Sequence, residues 1–238
     1  MSTWLVTGGS RGIGRAVVER AAAAGADVAT FSRSPAADRA GLPERLLEVK
    51  TDVTDPESIR RGIETVREQF GGIDVVVNSA GVHRGGRIDG IDRAAWDEVL
   101  ATNLTGAFEV CRAVTPVLRA GAAVVNVGAV VGLRGFPGDV AYGSAKAGLS
   151  GLTQVLAVEL APRGIRVNLV VPGFVDTDMT AGLSERARQR VVDTIPFGRT
   201  GTAREIAEVI VAVAGSTYMT GATVPVDGGL LATFGGGR

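Results

Sequence analysis

The chain has 238 residues, 45% hydrophobic and 21% charged, enough apolar side chain to bury a core and too much for a disordered segment. Lys+Arg and Asp+Glu each total 25, and the resulting zero net charge argues against the basic face of a nucleic-acid binder. A lone cysteine, Cys111, excludes an intrachain disulfide or a cysteine-based zinc site, and no apolar run approaches the roughly 20 residues of a membrane span.

From the first residue onward, apolar runs of strand length alternate with longer helical stretches. Trp4 to Val6 reads as a strand ending in a glycine cluster, followed by a helix over 14–24 that Gly25 stops. Val28 to Phe31 and Leu46 to Val49 are the next strands. Asp55 and Pro56 supply a cap and a first-turn proline for a helix that closes near Gly71. Ile73 to Val77 is a continuous apolar run, the signature of a strand buried on both faces.

Asp92 caps a long helix, with Ile91 and Trp96 at the spacing of a hydrophobic staple. Val124 to Val127 is a fifth strand. A helix rich in small residues covers 142–160, and a sixth strand, Ile165 to Val171, is broken by Pro172 and Gly173. Thr202 and Glu205 form a capping box for a helix to about Val213, and Thr223 to Val226 is the last strand. Strand and helix in alternation predict a single α/β domain over 1–238, a doubly wound Rossmann-type parallel sheet of about seven strands with helices on both faces. The tail, about 232–238, reads as flexible. The amino terminus lacks the regions of a signal peptide, so a cytoplasmic protein without membrane or nucleic-acid partners is expected, and no metal site is foreseen.

Two clusters carry chemistry. The loop Thr7-Gly8-Gly9-Ser10-Arg11-Gly12-Ile13-Gly14 joins the first strand to the first helix. Its glycines let backbone approach a pyrophosphate, and the helix N-terminus offers N–H groups and positive partial charge. Tyr142 and Lys146 are four apart on a helix and share one face. A free tyrosine, with a pKa of about 10, is too weak an acid for neutral pH. A neighbouring ammonium and a cationic cofactor product are expected to lower it. Lys50 and Lys146 are the only two lysines among 25 basic residues, which favours a specific task for Lys146.

Over essentially its full length the sequence resembles the classical short-chain dehydrogenase/reductases, and among them the 3-oxoacyl-[acyl-carrier-protein] reductases. The resemblance is carried by the glycine loop, Asn78-Ser79-Ala80-Gly81, Tyr142 with Lys146, Pro172-Gly173, and the stretches 101–106, 128–132 and 171–180. It implies that Tyr142, Lys146 and Asn103 are catalytic. It implies dinucleotide contacts from Gly8, Ser10, Arg11, Gly12, Ile13, Gly14, Asp52, Val53, Asn78, Ala80, Gly81, Tyr142, Lys146, Pro172, Gly173, Val175 and Thr177. It further implies a homotetramer that reduces a ketone, a 3-oxoacyl thioester of fatty acid or polyketide type on a carrier first, with a free small carbonyl or secondary alcohol as the alternative small-molecule substrate.

One position departs from the pattern. The family places a catalytic serine thirteen residues before the tyrosine, and here that residue is Ala129. A methyl group donates no hydrogen bond, and losing one oxyanion donor costs about 10²–10³ in rate. An impaired or ligand-trapping enzyme, natural or engineered, competes here with a catalytically silent dinucleotide-binding subunit; the intact Asn103, Tyr142 and Lys146 favour the enzyme. Ser144 and Asn126 are the nearby polar residues.

The second strand ends Thr30-Phe31-Ser32-Arg33, without the acid that would bind the ribose 2′-hydroxyl of NAD. Arg33 with Arg11 suits the 2′-phosphate of NADP instead, so NADPH is the expected cofactor. Phe174, Val175 and Met179 are candidate substrate contacts in a lid. Arg119, Arg163 and Arg166 are candidates for docking an acidic carrier. His83 reads equally as a cleft or a loop residue, Cys111 as core packing, and the run 185–190 as a solvated helix face.

Overall fold

A computed structural model describes residues 2–38, 40–43 and 46–233. The first half runs β1 (Thr3–Thr7), α1 (Gly12–Ala23), β2 (Asp27–Ser32), β3 (Leu47–Lys50), α2 (Pro56–Phe70), β4 (Ile73–Asn78), α3 (Arg93–Leu100) and α4 (Gly106–Val114). The second half runs β5 (Leu118–Val127), α5 (Val140–Leu160), β6 (Arg166–Pro172), β7 (Val175–Asp176), α6 (Glu185–Val192), β8 (Gly201–Thr202), α7 (Ala203–Gly215) and β9 (Thr223–Val226).

Seven strands form one parallel sheet in the order β3-β2-β1-β4-β5-β6-β9. Successive residues of each strand point to opposite faces, which is why the apolar runs are uninterrupted. Leu5, Val76 and Val124 face a core shared with Ile59 and Ile63 of α2, Val110 and Cys111 of α4, and Ala157 of α5. Their neighbours Val6, Val75 and Val125 face the other core, with Val17 and Val18 of α1 and Ile206 and Ile210 of α7. Burying a side chain of this size contributes roughly 1.5–3 kcal/mol. Two helical layers on one sheet make this a doubly wound Rossmann-type fold.

The local signals read from sequence hold at the helix starts. Asp55 Oδ1 accepts from Glu57 N at 2.9 Å, and Thr202 and Glu205 complete the capping box reciprocally. Asp92 caps α3, and Ile91 and Trp96 pack in one cluster beside Tyr142. Between α3 and α4 the helix widens to a π turn over Ala101–Thr105, which a 3.6-residue period does not reveal. The two-stranded pair β7-β8 is likewise unforeseen, because each strand has two residues. Leu230–Ala232 form a 3-10 turn; residues 234–238 of the expected flexible tail lie outside the described residues. No described helix is long and apolar enough to cross a membrane.

Strand order reverses between β1 and β4, so the carboxyl ends of these strands open a crevice. The amino ends face the opposite way, and there the three docking arginines are found. Arg119 binds Asp74 at 2.6 Å and the carbonyl of Phe70, Arg163 the carbonyls of Thr115 and Leu118, and Arg166 the carbonyl of Ala214. They tie strand beginnings to other segments of the chain at the far end of the sheet.

Candidate active site

A cleft of about 1340 Å³ lies along the carboxyl ends of the strands. One wall is the glycine loop. Gly8 has φ +71°, and a Cβ there would stand 2.9 Å from the Ala80 backbone. A Cβ on Gly14 would meet the Gly8 carbonyl oxygen at 2.4 Å. The loop is held by Gly8 N donating to Phe31 O at 2.7 Å, and by Ser79 N and Ala80 N donating to Thr7 Oγ1. No side chain caps α1, so its first-turn N–H groups stay open to an anion from the cleft. That open helix end, reached by backbone without side chains, fits a pyrophosphate.

Arg11 and Arg33 are exposed on this wall, with no ion pair to another described residue. Asp52 lies across from them. Against the pull of partial burial, hydrogen bonds from Thr54 and the charge of Arg33 hold its carboxyl below the usual range. Ser10, Gly12, Ile13, Val53, Ala80, Gly81, Pro172, Gly173, Val175 and Thr177 also border the cleft. Phe174 and Met179 do too. Thr180 braces the β7 segment through Val175 O and Thr177 N, and Arg188 of α6 pairs with Asp176. None of α6 is buried, as its charge pattern predicts.

Asn78 turns away from this cleft. Its amide donates to Asn126 Oδ1 at 2.8 Å and to Cys111 Sγ at 3.3 Å, and Asn126 passes the chain on to Thr153. The side chain therefore links β4 to β5 and α5. Its Oδ1 has no partner and borders a void of about 10 Å³ shared with Thr7, Asn103 and Lys146. Asn103 is buried too. Its amide spans Val82, accepting from Val82 N and donating to Val82 O at 2.8 Å each, so it positions the loop after β4.

Tyr142, Lys146 and Ala129 share the cleft wall. Lys146 Nζ donates to Val127 O at 2.7 Å and stands 5.6 Å from the Tyr142 ring centre. Burial pushes the lysine down to about 8. The expected lowering of Tyr142 is not seen in the protein alone. Burial first, and the negative charge of Asp139 second, push the phenol up to about 12. Cys111 is core packing, its thiol pushed up to about 11 by burial. Ser144 Oγ bonds Val140 O on the exposed side, and Asn126 is fully buried, so neither stands in for the serine hydroxyl.

One cluster was missed. His83 Nε2 lies 2.7 Å from Asp139 Oδ1, and the imidazole meets the Tyr142 ring edge-on with centres 5.1 Å apart. The only sequence signal was a lone histidine after the Asn78–Gly81 turn and an acid three residues before the tyrosine.

The architecture and the open crevice define the dinucleotide-binding class of doubly wound α/β proteins. Residues 8–231 match a family model described as "Enoyl-(Acyl carrier protein) reductase". The 3-oxoacyl-[acyl-carrier-protein] reductase FabG of Escherichia coli is 40% identical over 233 residues, covering 95% of this chain and 96% of the other. Carbonyl reductase family member 4 of Danio rerio is 42% identical over 231 residues with the same coverage. Among solved structures, a short-chain dehydrogenase/reductase mutant of Serratia marcescens superposes with a TM-score of 0.91 at 33% identity, covering 96% of this chain and 97% of that one. A blue fluorescent protein from a metagenomic library, in complex with NADPH, gives 0.88 at 33% identity with the same coverage. The chain belongs to the short-chain dehydrogenase/reductase family of oxidoreductases.

Proposed function

We propose that the chain is an NADPH-dependent ketoreductase acting on a 3-oxoacyl thioester, carrier-bound or polyketide-like, to give the 3-hydroxy product. The observation that carries this reading is the placement of Tyr142 and Lys146 on one wall of the cleft whose other wall is the open glycine loop. The dinucleotide, when bound, supplies the hydride. Gly8, Gly12, Gly14 and the α1 N-terminus would hold its pyrophosphate, and Arg11 and Arg33 its 2′-phosphate.

As the carbonyl carbon gains a hydride, its oxygen takes the electron pair of the broken π bond. Tyr142 then gives the phenolic proton to that oxygen. Lys146 charges readily near its lowered pKa and offsets the phenolate left behind, and solvent in the cleft returns the proton. A phenol held near 12 needs such compensation. Ala129 itself offers the oxyanion no hydrogen bond, and a hydroxyl at that position would add one.

Two measurements test this. Ala129→Ser is expected to raise acetoacetyl thioester turnover with NADPH by at least about tenfold, since one oxyanion donor accounts for about 10²–10³. No turnover by either chain, alongside tight dinucleotide binding, would favour the silent subunit. Arg33→Asp would remove the 2′-phosphate partner and set a second carboxylate near Asp52. The ratio of kcat/KM for NADPH over NADH should fall by at least about tenfold, and an unchanged ratio would remove the assignment.

A free small carbonyl is the second reading, favoured because Arg119, Arg163 and Arg166 are spent on backbone carbonyls and an acid at the far end of the sheet. Phe108, Val155 and Val158, exposed on α4 and α5, support association through those helices into a homotetramer. The family likeness supports a cytoplasmic setting.

A further inference from the structure

The loop that carries His83 is fastened on both sides. Asn103 grips the preceding residue, Val82, through both backbone groups, and Gly86 N donates to Gly138 O at 2.6 Å, forming a parallel bridge with Asp139. The imidazole is thereby set against the amino end of α5, with Nε2 on Asp139 and its ring against Tyr142. With Nε2 held by Asp139, Nδ1 is the ring nitrogen left for another partner. His83, Asp139, Tyr142 and Ala129 all border the one cleft. Beside the proton source, therefore, is a pre-oriented nitrogen, in a site whose wall lacks a hydroxyl.

We propose that His83, anchored by Asp139, donates from Nδ1 the hydrogen bond to the substrate carbonyl oxygen that Ala129 cannot make. The inference deepens the ketoreductase reading and rests on it. No bond is made or broken by His83; Tyr142 remains the proton donor, and the imidazolium steadies the oxygen while negative charge grows there. Asp139 raises the affinity of His83 for its second proton, opposed by partial burial and by Arg84. Arg84 is itself paired with Glu98 of α3 at 2.9 Å, and Tyr142 is the titratable group meeting the ring from α5, with Lys146 on the tyrosine ring in turn. The donor exists while Nδ1 is protonated, so kcat/KM should fall as pH rises through the His83 pKa.

The test uses two readouts. His83 is the chain's only histidine, so in tag-free protein every imidazole resonance reports this side chain. With NADP bound, adding an acetoacetyl thioester should shift the Nδ1 resonance beyond the change produced by NADP alone; no added shift overturns the contact. In kinetics, His83→Phe keeps the ring against Tyr142 and should lower kcat/KM by about 10²-fold, the scale of one oxyanion donor. Ala129→Ser should then gain at least about tenfold more in the His83→Phe chain than in the native one, because serine replaces a lost donor there. The fall of kcat/KM with rising pH should flatten in Ala129→Ser. Equal gains in both backgrounds, or a pH profile unmoved by His83→Phe, overturn the proposal. Should His83→Phe fold poorly, Asp139→Asn serves, with the pH fall expected at lower pH and an unmoved fall counting against the role. Absence of turnover in both the native and Ala129→Ser chains would overturn the ketoreductase reading instead, while the imidazole response to the ketone would still decide the contact.

Discussion

Tyr142→Phe should reduce kcat for ketone reduction by about 10³-fold, within the 10²–10⁴ range of a lost general acid. The substitution removes one oxygen and keeps the ring that meets His83 and stands beside Lys146, so folding and dinucleotide affinity should match the native chain. Lys146 cannot take over. Its ammonium is directed to the Val127 carbonyl at 2.7 Å and is buried behind the tyrosine ring. Stopped-flow measurement of NADPH oxidation, beside fluorescence titration of NADPH, separates the chemical step from binding. A variant retaining more than a tenth of native turnover would show that the proton comes from elsewhere, with the His83 imidazolium the nearest alternative.

Gly14→Ala should abolish useful dinucleotide binding, lowering affinity by at least about 100-fold. The added methyl would lie 2.4 Å from the Gly8 oxygen and 2.8 Å from the Gly8 carbonyl carbon, both backbone atoms with no side-chain freedom to yield. The loop must open. Gly8 then loses its bond to Phe31 O, and Thr7 its hold on Ser79 and Ala80. Overpacking of this kind costs about 1–3 kcal/mol, a fall in Tm of about 2–4 °C per kcal/mol at this size. Gly90→Ala is the matched control, since nothing lies within 4 Å of a Cβ there. NADPH titration and thermal melts of the two variants check the result, and wild-type affinity in folded Gly14→Ala would show that the loop does not carry the pyrophosphate.

Most of the fold was legible because it depends on short-range patterns. Apolar runs marked the sheet strands, since residues buried on both faces need no polar alternation, and Asp55, Asp92 and Thr202 announced helix starts through groups within three residues of each cap. Failures came where the deciding partner is remote. The π turn over Ala101–Thr105 and the two-residue strands β7 and β8 have no period to detect. Asn78 looked like a cleft residue until Asn126, 48 positions on, claimed its amide. The partners of the arginines at 119, 163 and 166, Asp74 and backbone carbonyls, are equally remote in sequence.

The sequence alone determined the residue types available: a glycine loop between strand and helix, Tyr142 and Lys146 one turn apart, arginine in place of an acid after β2, and Ala129 in place of a hydroxyl. These are local facts, because a turn, a helix face and a strand end each need only neighbouring residues. Tertiary structure decided which groups meet. It joined His83 to Asp139 across 56 positions, set both against Tyr142, and turned the basic side chains at the amino ends of the strands away from the cleft. Burial, which only packing creates, drove the phenol up and the lysine down, and so set the electrostatic demand that the cofactor and the imidazole would have to meet.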